Sequence, residues 1–414
     1  MSYRELATRP VLAWCAVTVA ARIPVAMAPL AVVFLVREQP GGYSLGAVLA
    51  AVFVIGEILA SPVLGMRLNA ERARPQLAAG LAVGAAGFLG LGAVGGAGHP
   101  VLLGALAFLA GAGPAAVPGG QRALLTSLVP ERAVTQAMSM ESVLTFGIWA
   151  AAPALTAGLA LGVDPAAPLL LQGVLMALAV AGQWLLPRGW QAEGKERGGS
   201  MGRVLARAWP VYVTGAAGLT LLALAELILP ALLEQRAIPI GWAGPLLAGF
   251  SIGSAVGAFV YGLRGSWPGR LPVQSAVLIV AVSAGVALAA VLPGAAGIAL
   301  ALVVAGLLQA PASLTRNLAL RQILPPGALA AGYSVMYAAV GAGYATSGTL
   351  AGALLKTVAP STAILCGVGL TLTLTAIGVW GERRIRPPDG TGVTEPAVRP
   401  SSGRGRPRTA DSDR

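Results

Sequence analysis

The chain has 414 residues, of which 56% are hydrophobic and 11% charged, with a formal net charge of +12. Soluble globular chains carry charge at about a quarter of their positions, so this composition excludes an ordinary soluble domain and describes a protein that crosses a membrane many times. The two cysteines, Cys15 and Cys366, fall in apolar stretches, which rules out a disulfide framework by context and a metal centre by number.

Spanning a bilayer takes about 20 apolar residues. Twelve such stretches are predicted, near residues 11–36, 44–65, 76–96, 101–121, 134–161, 166–186, 209–233, 241–263, 273–292, 296–315, 328–355 and 361–381. The first is too long for the apolar core of a cleaved signal peptide and runs on into further spans. The 56 glycines and 30 prolines suit this setting, because small residues let helices approach closely in lipid and neighbours satisfy the groups that Pro frees.

Between the sixth and seventh stretches, Arg188, Glu193, Lys195, Glu196, Arg197, Arg203 and Arg207 surround a Gly198-Gly199-Ser200 hinge. This segment reads as a connector. The expected organisation is a first six-helix bundle over 1–187, a linker over 188–208, a second bundle over 209–385 and a disordered tail over 386–414, rich in Pro, Arg and Ser.

Charge placement orients the chain. Of 28 basic residues, only Arg37, Arg236 and Lys356 fall in the predicted outward loops and Arg22 lies within a helix; the rest are on the linker side. By the positive-inside rule both termini are expected in the cytoplasm, and the basic tail then needs no nucleic-acid partner. Abundant Arg beside Ala and Gly points to a high-GC bacterial genome and to the inner membrane.

The two halves repeat each other. Phe53-Val54-Ile55-Gly56 and Gly65-Met66-Arg67 are matched 197 residues later by Phe250-Ser251-Ile252-Gly253 and Gly262-Leu263-Arg264, and Leu128-Val129-Pro130 is echoed by Ile323-Leu324-Pro325. Two parallel six-helix repeats with a midplane site between them is a secondary-transporter plan.

On these residues the chain resembles the major facilitator superfamily over about residues 5–385, and within it bacterial exporter-like members. The family's loop between helices two and three starts with glycine, carries an acid four positions on and ends in basic residues. Gly65, Arg72 and Arg74 fit it, while Asn69 stands at the acidic position and Arg72 where a second glycine is usual. In helix five, Ala152-Pro153 and Thr156-Ala157-Gly158 are similar to a weakened form of the drug exporters' Gly-Pro motif. The resemblance implies an all-α membrane fold of two pseudo-symmetric bundles, alternating access, and a cytoplasmic gate near Gly65, Asn69 and Arg72, to which Arg122 and Arg316 at the mouths of helices four and ten are added.

Charges at bilayer depth are the sharpest clues, since each costs about 2.5 to 3.5 kcal/mol unless paired or hydrated. Arg22 lies about 17 Å into the first helix, near the midplane. Glu57 and Glu141 lie about 10 Å from the cytoplasmic side, and Glu226 lies nearer the outside. Arg22 with one of these acids is expected to form a pair at the central cavity, where moving a carboxylate between wet and paired states changes its proton affinity. The same residues also fit a static ion pair locking the first half. Trp149, Pro153 and Gln309 are candidate cavity-lining residues.

The expected activity is proton-coupled efflux of a small amphipathic or hydrophobic molecule by a monomer, with proton-coupled uptake or a non-transporting sensor as alternatives. No cofactor, metal or enzymatic chemistry is expected. The predicted outward loops hold His99 and a few scattered charges rather than a cluster of acids, bases and nucleophiles.

Overall fold

The computed structural model describes residues 6–189, 200–264 and 267–384. Residues 190–199 of the expected linker and the whole expected tail lie outside the described residues. Twelve spans follow one another: α1 (Arg9–Val36), α2 (Gly42–Arg67), α3 (Ala70–Val94), α4 (Pro100–Leu128), α5 (Glu131–Gly162), α6 (Ala167–Leu185), α7 (Trp209–Gln235), α8 (Ile240–Leu263), α9 (Leu271–Val291), α10 (Ala295–Ile323), α11 (Leu329–Leu354) and α12 (Pro360–Arg384). Pro10, Pro100, Pro168, Pro210 and Pro272 sit in first turns, where the missing N–H has no intrahelical partner to lose.

Eleven of the described spans are long and apolar enough to cross a bilayer by composition, and the exception is α11. Tyr333, Ser334, Tyr337, Tyr344, Thr346, Ser347 and Thr349, among five glycines and eight alanines, lower its hydropathy. A helix screened from lipid on much of its surface tolerates that content. Tyr333 is fully buried and Ser334 and Ser347 are buried with it.

One apolar core lies among α1–α6 and a second among α7–α12. A third joins the halves: Val134 and Met138 of α5 meet Tyr212, Tyr261, Leu314, Leu320, Tyr333 and Met336. Across this seam α11 packs on α2 and α4, and α5 packs on α8. The end of the spans that carries Arg9, Arg67, Arg264 and Arg384 is called the linker end below and the opposite end the far end.

The sequence echo has a packing cause. A Cβ at Gly111 of α4 would stand 2.2 Å from the Phe53 carbonyl oxygen of α2, and one at Gly306 of α10 would stand 2.2 Å from the Phe250 carbonyl oxygen of α8. Conversely Gly56 faces the Phe108 carbonyl at 2.8 Å and Gly253 the Val303 carbonyl at 2.6 Å. Both halves thus use the same glycine-mediated helix crossing, with backbones too close for any side chain.

Two predicted helix ends are corrected. The fourth and tenth helices were expected to stop near residues 121 and 315, with Arg122 and Arg316 as terminal charges at the mouth. The helices instead run on to Leu128 and Ile323, and Arg316 is buried. An apolar window stops at the first charge, but here each arginine meets an acid inside the protein, so the helix continues through it.

Candidate ionic site at the bundle seam

Along α5, Glu141, Thr145, Trp149 and Pro153 recur every four residues and therefore share one helix face. Arg22, in the middle of α1, reaches this face. Its Nη2 donates to Glu141 Oε1 at 2.6 Å and its Nη1 to Thr145 Oγ1 at 2.7 Å. Thr145 Oγ1 in turn donates to the Glu141 carbonyl at 2.9 Å, which fixes its lone pairs toward Arg22.

Arg122 approaches the same carboxylate from α4 as a fork, Nε to Oε2 at 2.8 Å and Nη2 to Oε1 at 2.6 Å. This bidentate geometry is the strong form of the charge-assisted bond. The Glu141 side chain is 2% exposed and each arginine 13%. Two guanidiniums on one buried carboxylate leave a surplus positive charge, and Arg22 Nε is buried with no partner. The Trp14 indole N–H donates to the Gln121 carbonyl at 2.8 Å and ties α1 to α4 beside the cluster.

The network crosses to the second bundle. Arg122 Nη1 donates to Asn317 Oδ1 of α10 at 3.1 Å, and its guanidinium lies 5.3 Å from the Tyr333 ring centroid of α11. Glu57 Oε1 of α2 accepts the Tyr337 hydroxyl of α11 at 2.7 Å. One turn nearer the linker end, the Ser61 hydroxyl donates to the Ser334 carbonyl at 2.9 Å. Next comes Gly65, where a Cβ would stand 2.4 Å from Ser334 Cβ. Ser139 donates to the Ala258 carbonyl. At the linker surface Arg321 grips Glu131 through two 2.6 Å bonds. These polar links all lie in the linker-end half of the spans.

The remaining sequence candidates are placed as follows. Asn69 caps a turn, accepting the Glu71 N–H at 2.9 Å, and Arg72 is exposed, with no ion pair among the described residues. Arg316 lies inside the second bundle, donating to Glu382 of α12 and to Thr214 Oγ1 of α7 at 3.2 Å. With Gln309, Thr214 and Thr371 it lines a small pocket within that bundle. Trp149 is half-exposed, its ring 6.3 Å from that of Tyr344 across the seam. Glu226 of α7 is half-buried, with no hydrogen bond or ion pair among the described residues.

Sequence reasoning brought Arg22 and Glu141 forward but treated Arg122 as a terminal charge and did not single out Asn317, Tyr333, Tyr337 or Glu382. The signal for the tyrosines was the depressed hydropathy of α11. The signal for Arg122 was its distance of nineteen residues from Glu141, across one short loop between antiparallel helices. Among the described residues, no group of three or more His, Cys, Asp or Glu is placed to hold a metal.

No sequence-family profile and no curated protein sequence matches the chain. Solved structures do. The human organic anion transporter MFSD10 (TETRAN) superposes with a TM-score of 0.69 at 15% identity, over 91% of this chain and 100% of that one. A bacterial homologue of the iron transporter ferroportin in an outward-facing state gives 0.69 at 16% identity, over 91% and 99%. FucP, a major facilitator superfamily transporter in the outward conformation, gives 0.69 at 13% identity, over 90% and 99%. At these identities the likeness is one of fold: two helical bundles of the major facilitator type.

Proposed function

We propose that this chain is a secondary active transporter that works by alternating access, moving a small amphipathic molecule outward across a bacterial inner membrane in exchange for protons. The observation that carries the reading is the chain of contacts Arg22–Glu141–Arg122–Asn317, a buried ionic cluster held by one bundle and fastened to the other. A cluster that served only to hold the first bundle together would have no use for Asn317, Tyr333 or the parallel Glu57–Tyr337 bond.

The linker end is assigned to the cytoplasm because the basic residues gather there. On that assignment the polar links close the cytoplasmic half, and the conformation is the outward-open one. To open inward, α11 must leave Glu57 and Ser61, and α10 must leave Arg122. Residues 1–187 and 209–385 are the two rocking units and the chain acts as a monomer.

Protonation supplies the trigger. The two arginines hold the Glu141 carboxylate ionised, so it takes a proton only when a guanidinium leaves it, and its protonation is tied to release of Arg122 and with it Asn317. Each pH unit of gradient contributes about 1.4 kcal/mol and each 100 mV about 2.3 kcal/mol per charge. The solved structures of this fold include an organic anion transporter and a fucose:proton symporter, so the fold serves more than one substrate.

The reading is tested without a known substrate. Spin labels at Ser127→Cys and Gln322→Cys, in a background with Cys15 and Cys366 changed to Ser, report the cytoplasmic gap in lipid nanodiscs. Two distance populations whose ratio moves with pH are expected in the parent protein, with no pH response after Glu141→Gln. A single distance at every pH would refute alternating access.

A further inference from the structure

We propose that the far half of the seam binds an amphipathic organic cation, with its charge on the Glu226 carboxylate and its apolar body against the touching rings of Trp149 and Tyr344. This deepens the transport reading and rests on it.

Three observations converge. The first is the acid itself. Glu226 stands on α7 in a membrane span, half-buried, and among the described residues nothing hydrogen-bonds it or pairs with it. An ionisable group at that depth is costly unless something compensates it, and no cation among the described residues pairs with this one. Glu141, by contrast, is fully occupied by two guanidiniums and has no capacity for a third.

The second is the aromatic pair. Trp149 of the first bundle and Tyr344 of the second have ring centroids 6.3 Å apart, tilted by 47°. Rings inclined to each other, one from each wall, offer π-faces to a cation or to an aromatic group. Trp149 is 49% exposed although it shares the α5 face of Glu141 and Thr145, so it is not sealed into the first bundle's core. Tyr344 and Glu226 stand on neighbouring helices, α11 and α7, which the Ser347 hydroxyl joins by donating to the Thr220 carbonyl at 3.1 Å.

The third is the arrangement along the axis. Trp149 lies one helical turn, about 5.4 Å, beyond Thr145, where Arg22 is bound. The arginines therefore lie on the linker side of the aromatic pair and Glu226 on the far side. A cation entering from the far end meets the acid first and is stopped by the positive cluster below. A monoanion would be drawn past the acid to Arg22, which makes charge sign the deciding measurement.

Tetraphenylphosphonium and tetraphenylborate have nearly one shape and opposite charge. Equilibrium binding of each to the full-length protein in lipid nanodiscs, with empty nanodiscs subtracted, is expected to be saturable for the phosphonium only. Phosphonium affinity is expected to fall at least tenfold in Glu226→Gln and severalfold in Trp149→Leu and Tyr344→Leu, and to survive in Glu226→Asp. Preferential binding of the borate, absence of saturable phosphonium binding, or a Glu226→Gln affinity within twofold of the parent would overturn the proposal. The spin-label distances separate the two claims: if they still respond to pH while these results go against the cation, only the substrate class falls.

Discussion

Arg122 and Arg316 stand near the same point of corresponding helices, α4 and α10, and each meets a glutamate, yet they are used in opposite ways. Arg122 holds Glu141 and reaches out of its bundle to Asn317. Arg316 holds Glu382, Thr214 and the Leu271 carbonyl, all within its own bundle. Both halves carry an arginine at this level of the helix. One turned it to the seam and the other kept it as an internal strut, so the repeat fixes where a charge sits and leaves open what it serves.

The largest effect should come from the strut. Arg316 and Glu382 are 4% and 6% exposed, and removing one partner of such a pair leaves the other charged and uncompensated, at about 3–5 kcal/mol. Arg316→Ala is expected to lower unfolding stability by that amount in detergent, and Arg316→Met with Glu382→Leu to recover most of it. Arg122→Ala should cost less, because Glu141 keeps Arg22. Equal losses at the two arginines would erase the contrast and make both of them struts.

Next in size is the seam arginine's effect on conformation. Removing Arg122 takes away the link to Asn317 and the charge over Tyr333 together. Arg122→Gln is expected to shift the ratio of closed to open cytoplasmic distances about tenfold toward open, or ~1.4 kcal/mol. The Arg316 variants that still fold should leave that ratio alone.

How much of this was legible in the sequence follows from what a linear pattern carries. Twelve apolar stretches and the Phe53 and Phe250 echoes gave the architecture, because burial in lipid acts on residues close in sequence and the same glycine crossing recurs in each half. Arg22 and Glu141 stood out because a charge in an apolar stretch is conspicuous whatever it touches. Asn317, Tyr333 and Tyr337 did not, since a polar residue that bonds across 195 or 280 positions has no local signature. The one trace they left was an eleventh span too polar for its place, and Tyr337 shows why: its hydroxyl is spent on Glu57, a partner that only the folded pair of bundles supplies.

The smallest effect tests the outermost link. Arg321 and Glu131 make a bidentate pair, but Glu131 is 80% exposed and Arg321 23%, and exposed pairs contribute about 0.2–1 kcal/mol. Bidentate geometry favours the upper part of that range, which corresponds to no more than about a fivefold change in the closed population. A double-mutant cycle with Glu131→Ala and Arg321→Ala, read from the spin-label distances, is expected to return a coupling within it, and one that fades as salt rises from 0.05 to 0.5 M while the Arg122 effect persists. The difference in salt response is the sharper measurement. Screening reaches a pair at the surface and does not reach a guanidinium between Glu141 and Asn317, so if both links weakened alike, the ionic cluster would have to be open to water and the seam would not be closed where these contacts place it.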